Sequence, residues 1–163
     1  MSATLARRRL PFSMLAFAVI FLIGAGNVGL FMLQRQVSRL RQESRYYADQ
    51  TGLHMAEHWN PDLLIEQATP ELRARLKEDD VKVLSRQLER LGRLWMYLGA
   101  KGHLNNGYWA ALGGTASAYY VAKASYAAGV VAFDLELVKR DGRWQIDQFH
   151  VDLLNIQEDR GSG

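Results

Sequence analysis

Residues 12–33 form one apolar run without a charged side chain, and this run constrains the chain more than any other feature. Only Ser13 and Asn27 interrupt it with polar groups. As an α-helix its 22 residues would extend about 33 Å at ~1.5 Å per residue, enough to cross a hydrocarbon core of ~30 Å. Gly24, Gly26 and Gly29 would weaken such a helix in water, whereas in lipid the backbone has no solvent to turn to. Asn27 either bonds its own backbone or joins the small Gly24 and Gly26 in a helix-pairing contact. A cleaved signal peptide is the competing reading, with Arg7, Arg8 and Arg9 as its basic start. The run is about twice the usual h-region of roughly 7–15 residues, and Gly24-Ala25-Gly26 is a poor cleavage site, so an uncleaved anchor is expected.

Direction follows from the flanks. Arg7, Arg8 and Arg9 abut the run, whereas Arg35, Arg39, Arg41 and Arg45 are spread along a polar stretch with Glu43. The positive-inside count is nearly even. The contiguous upstream arginines favour a cytoplasmic N-terminus, leaving the C-terminal part outside the inner membrane.

Through residue 45 the chain carries a net charge of +6 against +3 for the whole, so the remainder is near −3. The basicity therefore belongs to the membrane flanks, where anionic headgroups lie. A mildly acidic domain is not expected to bind nucleic acid, which wants a basic face. With no cysteine, disulfides, thiolate nucleophiles and Cys-ligated metals are excluded.

The organisation read from the sequence is a basic tail (1–11), the span (12–33), a helical stalk (34–49), a folded domain (50–155) and a polar tail (156–163). Asn60-Pro61 breaks the stalk helix, and a short helix is expected over 62–68. Thr69-Pro70-Glu71 starts another, with Thr as N-cap and Pro in the first turn. Val81, Leu84, Leu88, Leu91, Trp95 and Leu98 recur at three- and four-residue steps, which predicts a helix over 80–98. A first strand is expected over 108–112. Residues 115–128 then alternate, with Ala116, Ala118, Tyr120, Ala122, Ala124 and Tyr126 on one face. Residues 130–138 place Val131, Phe133, Leu135 and Leu137 on one face. Asp141-Gly142 predicts a hairpin leading into a last strand over 143–153. Trp144 and Ile146 have the opposite parity to Phe149 and Val151, so a bulge near Asp147-Gln148 is expected.

Helices followed by a strand meander that closes on Asp141, Gly142, Trp144, Ile146 and Phe149 resemble the nuclear transport factor 2-like superfamily, also called cystatin-like or SnoaL-like. Residues 62–76, with Ala68-Thr69-Pro70-Glu71-Leu72, are similar to a segment common in its bacterial members. The resemblance covers roughly residues 50–155. It implies an α+β fold: two or three helices packed on a curved, cone-like antiparallel sheet of about four strands. It implies no single function, since this scaffold hosts enzymes, binders and assembly factors. One N-terminal span before such a domain is also similar in layout to VirB-type inner-membrane assembly components of type IV secretion systems.

Three chemistries compete. His54-x-x-Glu57-His58 matches the inverzincin pattern with both imidazoles on one helix face, and Glu136 is a conceivable third ligand. That family's enzymes are much larger and Glu136 reads as strand, so the two histidines are expected to be helix-surface residues; no metal or cofactor is expected. An apolar pocket of the kind used by the resembling enzymes would draw its general base from Asp134, Asp147 or His150, with Tyr120 and Tyr126 as hydrogen-bond donors. Tyr108, Trp109, Tyr119, Tyr120 and Tyr126 would otherwise furnish an aromatic sheet face, either as core or as anchors for a partner. The expected function is a membrane-tethered, non-catalytic interaction or assembly module of the bacterial envelope. It would be held to the bilayer by residues 12–33 and partnered by another membrane protein or a second copy. The alternative is a pocketed small-ligand binder or enzyme of the ketosteroid-isomerase-like type.

Overall fold

The structure is a computed structural model describing residues 12–154, with side chains from residue 27 onward. The expected basic tail and polar tail lie outside the described residues, as do the side chains of residues 12–26, the greater part of the expected span. Among the described residues no helix is long and apolar enough to cross a membrane.

Helix α1 (Phe12–Glu57) runs unbroken for 46 residues. Asn60 then caps α2 (Pro61–Gln67): its side chain accepts the Asp62 N–H at 2.9 Å, and Pro61 supplies a helix-compatible φ where no N–H is needed. Thr69 does the same for α3 (Pro70–Arg75), accepting from Leu72 N–H at 3.2 Å. Helix α4 (Glu78–Glu89) opens on Glu78, Asp79 and Asp80, carboxylates that the N-terminal end of the helix dipole favours. Strand β1 (Leu94–Leu104), the five-residue helix α5 (Gly107–Ala111) and strands β2 (Ala116–Tyr126), β3 (Gly129–Arg140) and β4 (Arg143–Leu154) follow, to the end of the described residues. The fold is α+β. Among the described residues, α1, which continues the expected span and stalk, and four shorter helices, one more than the two or three expected, accompany an antiparallel open sheet of order β1-β2-β3-β4.

The alternation read over β2 and β3 is the pattern observed. Ala116, Ala118, Tyr120, Ala122, Ala124 and Tyr126 are all buried, and so are Val131, Phe133, Leu135 and Leu137. Asp141 and Gly142 both take positive φ (50° and 76°), as a tight two-residue hairpin requires. In the β3–β4 register Glu136 pairs with Gln148 and Leu137 with Ile146, so Asp147 is the extra residue of a bulge. That bulge turns Phe149 and Val151 to the same face as Trp144 and Ile146.

Two elements differ from expectation. The helix expected over 80–98 ends at Glu89, because Gly92 takes a left-handed φ of 76° and the chain turns into β1. Trp95 and Leu98 continue the helical spacing only by coincidence; each is the extra residue where the β1–β2 register shifts. The strand expected over 108–112 is α5 and its exit, closed by Gly113 at φ 96°. The first strand is β1 instead. The side chain of Asn106 pins this loop, donating to Thr115 C=O at 2.7 Å and accepting Ser117 N–H at 2.9 Å.

The expected stalk is no free spacer. Val37, Ser44 and Ala48 are buried, as are Thr51, Met55 and Ala56 further along α1. This helix face packs on β1 and β2, where small alanines let it come close. Ser44 Oγ donates to the Arg41 carbonyl at 3.1 Å, so the Tyr120 hydroxyl is the donor in its 3.0 Å bond to Ser44. Asp49 Oδ1 accepts the Ala100 N–H at 2.9 Å, and the Tyr97 hydroxyl donates to the Asp49 carbonyl at 3.0 Å. Lys139 pairs with Glu43. Trp59 stacks on Phe149 at 6.0 Å and donates to Ser85 Oγ at 2.8 Å, tying α4 to the same core.

The buried Tyr126 hydroxyl donates to the Ala56 carbonyl at 2.7 Å, and burial pushes its pKa up to about 12. Burial also raises Tyr47 to about 12, against a smaller opposing effect from its hydrogen bond with Thr51. An unfolded tyrosine gives up its proton near pH 10, so the folded chain holds these protons more tightly. The corresponding stabilisation is complete below pH 10 and is lost as pH rises toward 12. The thermal unfolding midpoint is therefore expected to fall steeply across that interval, and Tyr126→Phe to flatten the fall. An equally steep fall in the variant would refute the assignment.

Candidate functional site

The residues singled out in the sequence are divided between the two faces of the sheet. Tyr120 and Tyr126 lie on the inner face, beneath α1, with their hydroxyls committed to Ser44 and to the Ala56 carbonyl. Asp134 and His150 lie on the outer face, where the register sets them side by side on β3 and β4. Asp147 belongs to the bulge and has a structural task. Its carboxylate accepts the Thr69 hydroxyl at 3.0 Å and its carbonyl accepts Arg75 at 2.9 Å, while Thr69 N–H donates to the Ile146 carbonyl at 2.8 Å. These bonds staple the α2–α3 junction to β4. The five residues therefore do not converge on one pocket.

The outer face does carry a polar row. His103 on β1 pairs with Tyr119 on β2, their rings 6.4 Å apart. Partial burial, and then the neighbouring Asp134 carboxylate, raise the Tyr119 pKa. On β4 the His150 ring nitrogen lies 3.0 Å from Asp152 Oδ1. His150 and Asp152 are exposed, without the apolar enclosure that tunes a catalytic carboxylate or imidazole.

His54 and His58 stand one turn apart near the end of α1, ring centroids 6.1 Å apart, both exposed. Glu136, the conceivable third ligand, faces away on the far side of the sheet from α1. Among the described residues no group of three or more His, Asp or Glu side chains is arranged to hold a metal.

The expected aromatic sheet face is also divided. Tyr120 and Tyr126 are core, Tyr119 is on the outer face, and Tyr108 and Trp109 stand exposed on α5. The apolar surface that sequence reasoning missed is on β1. Trp95 is 70% exposed, Met96 58% and Leu98 44%, three large side chains within four residues of an edge strand. Beside them a hollow of 540 Å³ on the outer face is lined by Leu98, Gly99, Lys101, Val121 and Lys123. The bulges at Trp95 and Leu98 break the regular ladder of this edge strand. The signal in the sequence was Gly92, which sits inside the supposed helix and should have released Trp95 and Leu98 from it.

Comparison with known protein families, with curated proteins and with solved structures gives no match for this chain.

Proposed function

We propose that the chain is a single-pass protein of the bacterial inner membrane, with a cytoplasmic N-terminus and an extracytoplasmic domain of nuclear transport factor 2-like form. The domain is a non-catalytic docking module for another membrane protein or a second copy of itself. The observation that carries this reading is the exposure of Trp95, Met96 and Leu98, three large apolar side chains within four residues of the edge strand β1. The inner sheet face supports it from the other side: Tyr120, Phe133, Leu135, Leu137 and Ile146 fill the space where a substrate cavity would lie. A pocketed enzyme is the weaker reading, because its candidate residues are split between two faces.

Support for the anchor is the apolar sequence of residues 12–33, together with α1, which continues without a break from that run into the core. Val28, Leu30, Phe31 and Met32 at its end are all more than half exposed, uncovered by the domain. Tethering raises the effective concentration of the domain for neighbours in the same membrane, so a modest patch suffices.

The test is capture from detergent-solubilised membranes with the full chain. A buried aromatic anchor is worth about 2 kcal/mol or more, so Trp95→Ala with Leu98→Ala should weaken a defined partner about 30-fold. Undiminished recovery would remove the patch from the reading. A phosphatase fused after the C-terminus reports the side of the membrane, and activity confined to the cytoplasm would reverse the topology.

A further inference from the structure

We infer that α5 and its exit, through Tyr108, Trp109 and Leu112, form a second membrane contact that dips into the headgroup layer of the bilayer entered by α1. This rests on the proposed anchor and extends it from a tether to a fixed seat. The three side chains are 62%, 66% and 72% exposed among the described residues. Their place in the fold selects the occupant. The start of α5 abuts α1 at Val37: a Cβ added to Gly107 would lie 2.9 Å from Val37 Cγ1 and 2.7 Å from Leu104 Cδ2. Val37 is four residues beyond the end of the apolar run, about 6 Å along a helix axis. A headgroup layer is roughly 5–8 Å deep, from the ~30 Å core and ~40–45 Å total thickness. Helix α5 therefore lies at the level where a bilayer changes from hydrocarbon to water.

The chemistry matches that level. Tyrosine and tryptophan join an apolar ring to a polar edge and concentrate at membrane interfaces. Residues 102–122 contain no Asp, Glu, Lys or Arg, so insertion desolvates no charged side chain in the loop. On α1 the Arg35 guanidinium lies 4.5 Å over the Phe31 ring, a cation set just beyond the apolar run, where lipid phosphates would lie. Asn106 braces the loop base through Thr115 and Ser117, so the aromatic tip is presented by a fixed frame.

Because the chain has no cysteine, one introduced thiol can be labelled alone. Full-length Leu112→Cys and Ala127→Cys, each carrying an environment-sensitive fluorophore, are reconstituted at low density in phosphatidylcholine–phosphatidylglycerol vesicles. Ala127 is exposed in the β2–β3 turn at the opposite end of the sheet and serves as the reference. The label at position 112 should shift to the blue and be quenched by nitroxide-bearing lipid, and the label at 127 should do neither. A water-like, unquenched signal at 112 in protein that resists an alkaline carbonate wash overturns the inference and leaves the anchor standing. A blue shift without lipid quenching reveals a protein neighbour and also overturns it. Release of the chain by the wash removes the anchor and this contact with it.

Discussion

Gly102→Ala is expected to destabilise the domain by about 3 kcal/mol or more, lowering the unfolding midpoint by about 10 °C or more. Gly102 sits on the inner face of β1 directly opposite Tyr120. A Cβ there would fall on the Tyr119 carbonyl oxygen and lie 2.6 Å from Tyr120 Cα and 2.7 Å from Tyr120 Cδ1. Two of these obstacles are backbone, which no rotamer change can move. The added methyl must therefore push β1 off β2 or displace the Tyr120 ring. Either movement reaches α1, because the Tyr120 hydroxyl is bonded to Ser44. Overpacking usually costs 1–3 kcal/mol, and the rigid neighbours place this site at or above the upper end. Lys101→Ala, on the exposed neighbour, should stay within about 0.5 kcal/mol. If Gly102→Ala unfolds within about 1 kcal/mol of the parent, β1 does not pair with β2 in this register.

The same region shows where the sequence stops being legible. Strands β2, β3 and β4 announce themselves because one face turns to the core, buried through β2 and most of β3 and half-buried in the second part of β4, so apolar and small residues alternate, and even the parity reversal at Asp147 is visible. The start signals Asn60-Pro61 and Thr69-Pro70 are local chemistry and hold for the same reason. Strand β1 is hidden: its two bulges at Trp95 and Leu98 destroy the period of two and happen to extend the helical spacing of α4. The burying face of α1 is hidden differently. Val37, Ser44, Ala48 and Thr51 include small and polar residues, and they read as a solvated stalk until the alanine face of β2 is known to lie against them. Tyr120 and Tyr126 were ambiguous in principle, since a phenol can serve a pocket or a core. Only the positions of Ser44 and Ala56 decide between the two.

Gly52→Leu is expected to cost about 4 kcal/mol or more and to lift α1 from the sheet. Gly52 is buried where α1 lies against β2: a Cβ there would run into the Ala122 methyl and lie 2.7 Å from the Tyr97 hydroxyl. Ala122 is a wholly buried methyl on an inner strand and cannot turn aside. Gly52→Ala sets a smaller gain in helix propensity, about 1 kcal/mol, against the same collision, so it should be net destabilising by about 1–2 kcal/mol. Ala122→Gly removes the obstructing methyl, so Gly52→Ala should cost less in that background, a coupling a double-mutant cycle measures directly. Hydrogen exchange supplies the second readout. In Gly52→Leu the amides of residues 37–57 should lose protection while the β2–β3–β4 ladder keeps most of its own. This matters for function because α1 is at once the continuation of the proposed anchor and the innermost helix of the domain. On the proposed anchor, the Gly52 contact would hold the sheet at one height and angle above the bilayer, and leucine there would leave the domain on a loose leash. Unchanged protection over 37–57 in Gly52→Leu would show that α1 does not rest on the sheet, and the rigid coupling would be refuted.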